Sequence, residues 1–351
     1  MVSMPTKSSA VVIFLLRACR QARRLLLVLP LVGVGAMAQP TAAPEGAPGP
    51  AGAILSGNPL RLVVPFTPGT GIDLIARTLG PRLAERLGRP VVVDNRVGAS
   101  GNIGTEAVVR AAPNGSTLLV SVNTLVMNRS LFPKLAFDPV KDLQPVSLTS
   151  WGQLILVTHP RTGYKSAGDL IAAAKAAPGR LNYASPGVGT PHHLAMEVLK
   201  TSAGVYLTHI PYRGTAPALT ELLGGQIETM FLPIHVALPH VKAGKLVALG
   251  IGSEKRHPLL PEVPALAEAN AGQVNVDMWY GIFAPAGTPP ALVASLNREL
   301  KDILASEDVK RAFQTQGMDP ASSSPEAFKA LVEKDAARWA QLIKSQGITA
   351  E

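Results

Sequence analysis

The sequence predicts a two-domain α/β protein, and three observations carry that expectation. From Leu60 onward, short β-branched runs alternate with amphipathic helical stretches, the rhythm of strands joined by helical crossovers. The chain has 351 residues, too many for one typical core and enough for two. Hydrophobic residues make up 47% of it but aromatics only 5%, a balance suited to helices packed on sheets through Ala, Val, Leu and Gly.

The expected elements follow in order. Leu60–Pro65 has the pattern of a strand, Ile72–Leu87 of a helix and Pro90–Asp94 of a strand. Gly101–Ala112 is helical in pattern and Thr117–Val122 extended. After a loop come a strand at Leu154–Thr158 and a helix at Ala167–Ala177, closed by Pro178-Gly179. Leu181–Ala184, Pro191–Ala203, Tyr206–Ile210, Ala216–Leu223 and Ile227–Phe231 continue the alternation, which argues for parallel sheets with right-handed crossovers. The end differs: one strand near Met278–Ala284 precedes helices at Pro289–Leu304, Ser306–Gln314 and Ser324–Gln346. Ser324 with Pro325 at the first position starts the last of these. Such a helical tail suggests that the chain returns to cover its first domain. No internal repeat of fixed period is visible.

The N-terminus sets the expected compartment. Arg17, Arg20, Arg23 and Arg24 form a basic region, Leu25 to Ala36 is apolar, and Ala36-Met37-Ala38 is a signal-peptidase pattern, with cleavage before Gln39. A membrane anchor fits less well, because the run falls short of the roughly 20 residues a span needs and Pro30 interrupts it. Arg23-Arg24 fits a twin-arginine signal poorly. A second apolar stretch, Ala10 to Leu16, precedes the arginines and leaves the start codon open. Removing residues 1–38 takes away Lys7 and four arginines but no acid, so the net charge falls from +9 to +4. Cys19, the single cysteine, leaves as well, and with it any thiol, disulfide or cysteine-based metal site. No Lys/Arg run with interleaved aromatics remains, so nucleic acid is not an expected partner. Residues 39–58, rich in Pro, Ala and Gly, have the composition of a flexible tether.

Four segments carry chemistry. In residues 61–77 a buried strand runs through Phe66 into Thr67-Pro68-Gly69-Thr70-Gly71 and then a helix. That geometry leaves N–H groups at the helix start free to meet an anion. Asp73 either caps this helix or contacts a ligand. The spacing matches neither GxxxxGK[ST] nor GxGxxG, so a nucleotide site is unsupported. In residues 91–120, Asn95 and Arg96 would brace the loop through backbone carbonyls. Gly98, Gly101 and Gly104 would let helix and strand approach, with Ala99 and Ser100 open to ligand contact. The next strand delivers Asn123 and Thr124 at its carboxyl end, where open α/β sheets bind ligands.

Residues 181–199 repeat the first arrangement: Ser185 follows a strand, Gly187 and Gly189 make the turn, and Thr190 precedes Pro191 as an expected cap. His192 and His193 point about 100° apart on a helix, a poor metal pair, and nothing at helical spacing completes a site. His193 either lines a cleft or takes a surface or capping place. In residues 208–228, Tyr212 ends a strand, Gly214 permits the turn and Thr215 is a candidate cap. The Tyr212 phenol can donate to a carboxylate and offer a ring face to an aliphatic ligand. Arg213 has the pattern of a solvated loop charge more than of a counter-ion, since neighbouring side chains diverge. Ser185 lacks a GxSxG elbow and no His–Asp partner is assignable, so no catalytic set, metal or cofactor is expected.

Taken together these segments resemble the Bug/TctC family, the extracytoplasmic receptors of tripartite tricarboxylate transporters. The matching residues are Pro65-Phe66-x-Pro68-Gly69-x-x-x-Asp73 and Asn95-Arg96-x-Gly98-Ala99-x-Gly101-x-x-Gly104. Next come Tyr183-Ala184-Ser185-x-Gly187-x-Gly189-Thr190, His209-x-Pro211-Tyr212-x-Gly214 and Gly225. Trp279-Tyr280-Gly281 and Pro285-Ala286-Gly287-Thr288-Pro289 complete the set. Thr70 departs from the pattern, which has a second glycine there. It adds a hydroxyl to the loop or restricts its backbone. The resemblance implies a periplasmic binding protein type II (Venus flytrap) fold. Lobe 1 would comprise residues 59–157 and 280–351, and lobe 2 residues 158–279. It implies no enzyme but a monomeric receptor for a di- or tricarboxylate, acidic amino acid or aromatic acid. Phe66, Thr67, Gly69, Asp73, Asn123, Thr124, Ser185, Gly189, Thr190, His193, Tyr212 and Gly214 would line its site. Large and small membrane subunits would be its partners, or, alternatively, a two-component sensor kinase to which it reports.

Overall fold

The computed structural model describes residues 58–349. The expected signal peptide, and the tether up to residue 57, lie outside the described residues. The first half of the chain forms β1 (Leu60–Val64), α1 (Gly71–Leu87), β2 (Val91–Asn95), α2 (Asn102–Val109), β3 (Thr117–Val122), α3 (Thr124–Leu131) and β4 (Leu143–Gly152). Then come β5 (Leu154–Thr158), α4 (Ala167–Ala176), β6 (Asn182–Ser185), α5 (Pro191–Ala203), β7 (Thr208–Pro211), α6 (Thr215–Leu223), β8 (Thr229–Pro233), α7 (Ile234–Lys242) and β9 (Val247–Ile251). The chain closes with β10 (Met278–Pro285), α8 (Pro290–Ala305), α9 (Glu307–Gln314), β11 (Met318–Pro320) and α10 (Pro325–Ser345).

These strands make two sheets, ordered β11-β4-β10-β3-β1-β2 and β7-β6-β8-β5-β9. Among the named strands of the described residues, parallel pairing holds around β2-β1-β3 and β7-β6-β8. β10 runs antiparallel to β3 and β4, and β5 antiparallel to β8 and β9, so both sheets are mixed rather than parallel as expected. The reversals occur where the chain passes between sheets: it enters a new sheet from the opposite end and has no crossover helix to turn it round. The sheets also divide elsewhere than expected. Leu154–Thr158 belongs wholly to the second sheet, and Met278 and Trp279 to the first, so the passages fall at Gln153 and between residues 251 and 278. Gln153 Nε2 donates to Ser253 Oγ at 3.1 Å and ties the two passages together. The tail holds a second short strand, β11, beyond the single one expected.

The first sheet is sandwiched by helices. Helix α1 buries Ile72, Ile75, Ala76, Leu79, Leu83 and Leu87 at helical spacing and ends at Gly88, whose φ of 61° supplies the left-handed cap. Helix α10 begins at Ser324, whose side chain accepts the Ala327 N–H. It packs along β4 and α3, covering the first lobe. Its Asp335 Oδ2 accepts the Trp279 indole N–H at 2.7 Å, and its Phe328 ring meets Trp279 edge-on at 5.4 Å. Every residue of β10 is buried.

Gly281 in β10 lies directly under Phe328. A Cβ there would fall 2.1 Å from Phe328 Cζ and 3.0 Å from the Ser147 carbonyl oxygen. Overpacking of this kind costs roughly 1–3 kcal/mol, so Gly281→Ala should lower the urea midpoint accordingly. The double variant with Phe328→Ala should lose less than the sum of the two single losses, because the two residues share one volume. Additive losses in the double variant would contradict this packing.

Candidate functional site

The site is built at the carboxyl ends of β1, β3, β6 and β8, where loops from both sheets converge. After β1, the loop to α1 is held by Asp73: its carboxylate accepts the Gly69 N–H at 2.9 Å, the Asn95 amide at 3.0 Å and the Arg77 guanidinium. Burial opposes ionisation of Asp73, but the hydrogen bonds from Arg77, Gly69 and Asn95 outweigh it and hold the carboxyl below its usual range. Asn95 also donates to the Phe66 carbonyl. Arg96, expected to do the same, pairs with the Asp94 carboxylate. Thr70 is the N-cap, yet its hydroxyl turns back to the Thr67 carbonyl and caps nothing.

The second lobe repeats this arrangement. Thr190, expected to cap α5, instead donates to the Gly187 carbonyl. Thr215, expected to cap α6, is the first residue inside that helix, with Gly214 at the cap. Helices α1 and α5 therefore start without a side-chain cap, and their first-turn N–H groups have no intrahelical acceptor. Both first turns line one inner cavity of about 40 Å³, through Thr70, Gly71 and Ile72 on one side and Thr190, Pro191 and His192 on the other.

Several buried polar atoms here lack a protein partner: Thr67 Oγ1, Asn123 Oδ1, Thr124 Oγ1, both ring nitrogens of His192, and His235 Nε2. Such atoms are rare away from places that a ligand or water completes. His235 stands close by, since a Cβ on Gly71 would meet its Cε1 at 3.0 Å and the Tyr280 hydroxyl at 2.8 Å. Burial pushes the Tyr280 phenol above its ordinary value. Desolvation, reinforced by their mutual repulsion, lowers His192 to about 3; desolvation lowers His235 to about 4. Both are neutral at physiological pH.

Phe66 and Pro186 line the inner cavity and also a larger outer chamber of about 630 Å³. Val97, Ala99, Ser100 and Ile103 of the first lobe face Gly187, Tyr212, Arg213 and Gly214 of the second across it. Ala99 and Ser100 hold left-handed backbone, with φ of 46° and 52°, and the Asn128 amide fixes the Ser100 carbonyl at 2.9 Å. The lobes touch through glycines. Added Cβ atoms at Gly187, Gly189 and Gly214 would meet Ser100 Oγ at 2.8 Å, Asn128 Oδ1 at 2.7 Å and Thr67 Cγ2 at 2.8 Å.

Of the residues chosen from sequence, Phe66, Thr124 and Thr190 line the inner cavity, and Tyr212 and Gly214 the outer chamber. Thr67 and Gly189 lie at the contact between lobes. Gly69 and Asp73 brace the first loop, and Asn123 Nδ2 donates to the Asp277 carbonyl at 2.9 Å beside a passage between sheets. Ser185 is fully buried, 2.6 Å from His209 Nε2 and bonded to Gly187, so it shapes the turn. His193, put forward as lining the site, faces away from it. Its Nδ1 accepts the Gly189 N–H, and its ring stacks on His209 at 4.3 Å, which stacks on Tyr183 at 4.7 Å. His192 takes the cavity-facing place. His235 and Tyr280 also stand at the inner cavity, outside the set expected from sequence. Both carry a positional signal: His235 follows β8 at its carboxyl end, and Tyr280 sits in the Trp279-Tyr280-Gly281 match. Arg213, expected to be a solvated loop charge, is exposed and borders the outer chamber beside Tyr212.

Two mixed α/β lobes, joined by two passages and closed around a cleft with unsatisfied polar atoms, define a type II periplasmic solute-binding fold. Solved structures share it. R. palustris Rpa4515 with adipate matches at TM-score 0.80 and 33% identity, over 83% of this chain and 97% of that one. The periplasmic binding protein BugD matches at 0.79 and 31%, over 83% and 98%. MatC from Rhodopseudomonas palustris with bound malate matches at 0.76 and 32%, over 81% and 98%. Residues 75–348 match the TctC family, described as "Tripartite tricarboxylate transporter family receptor", and the chain belongs to that family of periplasmic binding proteins.

The histidines make the site sensitive to acid. Desolvation, helped by Lys200, lowers His193 to about 4, and desolvation with His193 nearby lowers His209 to about 3. His193 can accept the Gly189 N–H only while Nδ1 is bare. Because the folded pKa values lie below the unfolded value of about 6.5, the unfolded chain takes up these protons first. Stability is therefore full above about pH 6.5 and falls as the pH drops towards 4, by up to about 1.4 kcal/mol per unit for each histidine. NMR titration of the imidazole Cε1–H signals should show His192, His193, His209 and His235 neutral at pH 5, and urea midpoints should fall over the same range. Titration of these four near pH 6.5 would contradict the burial described.

Proposed function

We propose that the protein is the extracytoplasmic receptor that captures a small carboxylate and delivers it to the large and small membrane subunits of a tripartite tricarboxylate transporter. The observation that carries this reading is the pairing of two uncapped helix starts across one cavity, beside buried Thr124, His192 and His235 atoms with no partner. A carboxylate accepts N–H hydrogen bonds and is favoured at a helix N-terminus. Its binding would satisfy groups from both lobes at once, which gives it a higher affinity for the closed arrangement than for the open one. Phe66, Thr67, Thr124, Thr190, Tyr212 and Gly214, with His192 and Tyr280, form the proposed contact set. Gly69, Asp73, Asn123, Ser185, Gly189 and His193 hold the loops in place.

Adipate in Rpa4515 and malate in MatC support a carboxylate for this chain as well. The periplasmic setting of the family agrees with this role, and the signal peptide expected from the sequence would place the protein there. Capture and release require no nucleophile or cofactor, only a ligand that favours closure.

A thermal-shift screen of the purified protein against carboxylates, sugars, cations and nucleotides tests the reading. A carboxylate at 100 times its dissociation constant should stabilise the folded protein by about 2.7 kcal/mol. Thr124→Val should weaken that ligand by about tenfold, the cost of stranding a buried oxygen atom. A shift produced by sugars, cations or nucleotides and by no carboxylate would overturn the assignment.

A further inference from the structure

The inner cavity and both passages between the lobes meet at one side chain, Tyr280. It lies in β10, whose register against β4 slips between Tyr280 and Gly281, an irregularity of the kind that re-aims a side chain beside a functional site. Two glycines make room for its ring. A Cβ on Gly71, the first residue of α1, would fall 2.8 Å from the Tyr280 hydroxyl. A Cβ on Gly152, where β4 ends and the chain leaves the first sheet, would fall 2.9 Å from Tyr280 Cε2. Met278 opens β10 where the chain returns from the second lobe, and its Sδ accepts the Tyr280 hydroxyl at 3.6 Å.

That hydrogen bond is a weak one. A thioether sulfur is a poor acceptor, and a phenol has a single proton to donate. Burial pushes the Tyr280 phenol above its ordinary value, so the proton stays in place at physiological pH. Tyr280 and Met278 are 3% and 2% exposed, so bulk water is not an alternative partner for either. Both line the inner cavity, beside Thr70 and Gly71 of α1 and His192 of α5. None of the residues lining that cavity carries a charge at neutral pH, so a carboxylate placed there would be the strongest acceptor within reach of the hydroxyl.

We propose that Met278 and the bound ligand compete for the Tyr280 hydroxyl, so that Met278 moderates ligand capture from the returning passage between the lobes. This rests on the carboxylate-receptor reading above. The ligand gains the phenol only by breaking its bond to sulfur, and the net gain is smaller by that amount. The coupling is reciprocal: a loosened Met278 bond tightens the ligand, and a bound ligand frees the thioether to move with the passage. When the ligand leaves, the sulfur takes the proton donor back, and release strands no buried hydroxyl.

Calorimetric titration of the wild type, Tyr280→Phe, Met278→Leu and the double variant tests the competition, with citrate, adipate, malate, glutamate and benzoate as probes. Leucine nearly keeps the volume of methionine and removes the acceptor. For each probe that binds, Tyr280→Phe should weaken affinity roughly ten- to hundredfold, the loss of a hydrogen bond to a charged group. Met278→Leu should strengthen it about threefold, the low end of what one hydrogen bond contributes. In the Tyr280→Phe background the same Met278→Leu change should have no effect, because no hydroxyl is left to compete for. Repacking alone would shift affinity alike in both backgrounds, so the comparison holds even where a variant melts at a different temperature. Equal effects of Met278→Leu in the two backgrounds, or Tyr280→Phe binding as tightly as the wild type, would overturn the competition and leave carboxylate binding standing. If none of the five probes binds the wild type, the receptor reading falls and this inference with it.

Discussion

Helices α1 and α5 start at the same cavity from opposite lobes, each with first-turn N–H groups that no side chain caps. Much of the site follows from that constraint. An uncapped start forgoes about 1 kcal/mol that an N-cap hydroxyl usually contributes, and here the hydroxyls of Thr70 and Thr190 are available but turned away. Each closes its own loop through the carbonyl three residues earlier. The loops are thereby stiff before any ligand arrives, and the N–H groups stay open to the cleft. Asp73 completes the first loop by accepting from Gly69, and His193 completes the second by accepting from Gly189. A carboxylate and an imidazole thus fill equivalent places behind two similar turns.

Closure of the cleft depends on what is missing as much as on what is present. Gly187, Gly189 and Gly214 all have φ between 79° and 140°, which only glycine adopts readily, and all three face first-lobe atoms that a Cβ would strike. Backbone from one lobe therefore comes into direct contact with side chains of the other, at Ser100, Asn128 and Thr67. Ligand bound by both sides can then decide the balance between open and closed.

Much of this was legible in the sequence because glycine, proline and short polar residues act locally. The turns at residues 65–73 and 185–193 could be placed from their punctuation, with no knowledge of the rest of the fold. The strand directions could not. β5 and β10 are buried throughout, so their apolar runs carry no alternation to show which neighbours they pair with or which way they run. The choice between His192 and His193 was equally hidden. Adjacent helical residues differ by about 100°, and which of them faces the cavity is set by the rotation of α5 against its sheet. His235 and Tyr280 come from distant stretches of chain, and only the assembled fold brings them to Gly71.

The neutrality of the inner cavity bears on release. A lysine or arginine buried in so small a space would bind an anion more strongly, but without ligand it would be a desolvated charge, costly to keep in a closed lobe pair. Imidazoles held neutral by burial, hydroxyls and backbone N–H groups avoid that cost and return to water when the lobes separate. On the proposed reading, the deep groups recognise the shape of a carboxylate head without a buried fixed charge, and a receptor that must surrender its cargo to a membrane partner needs that reversible grip.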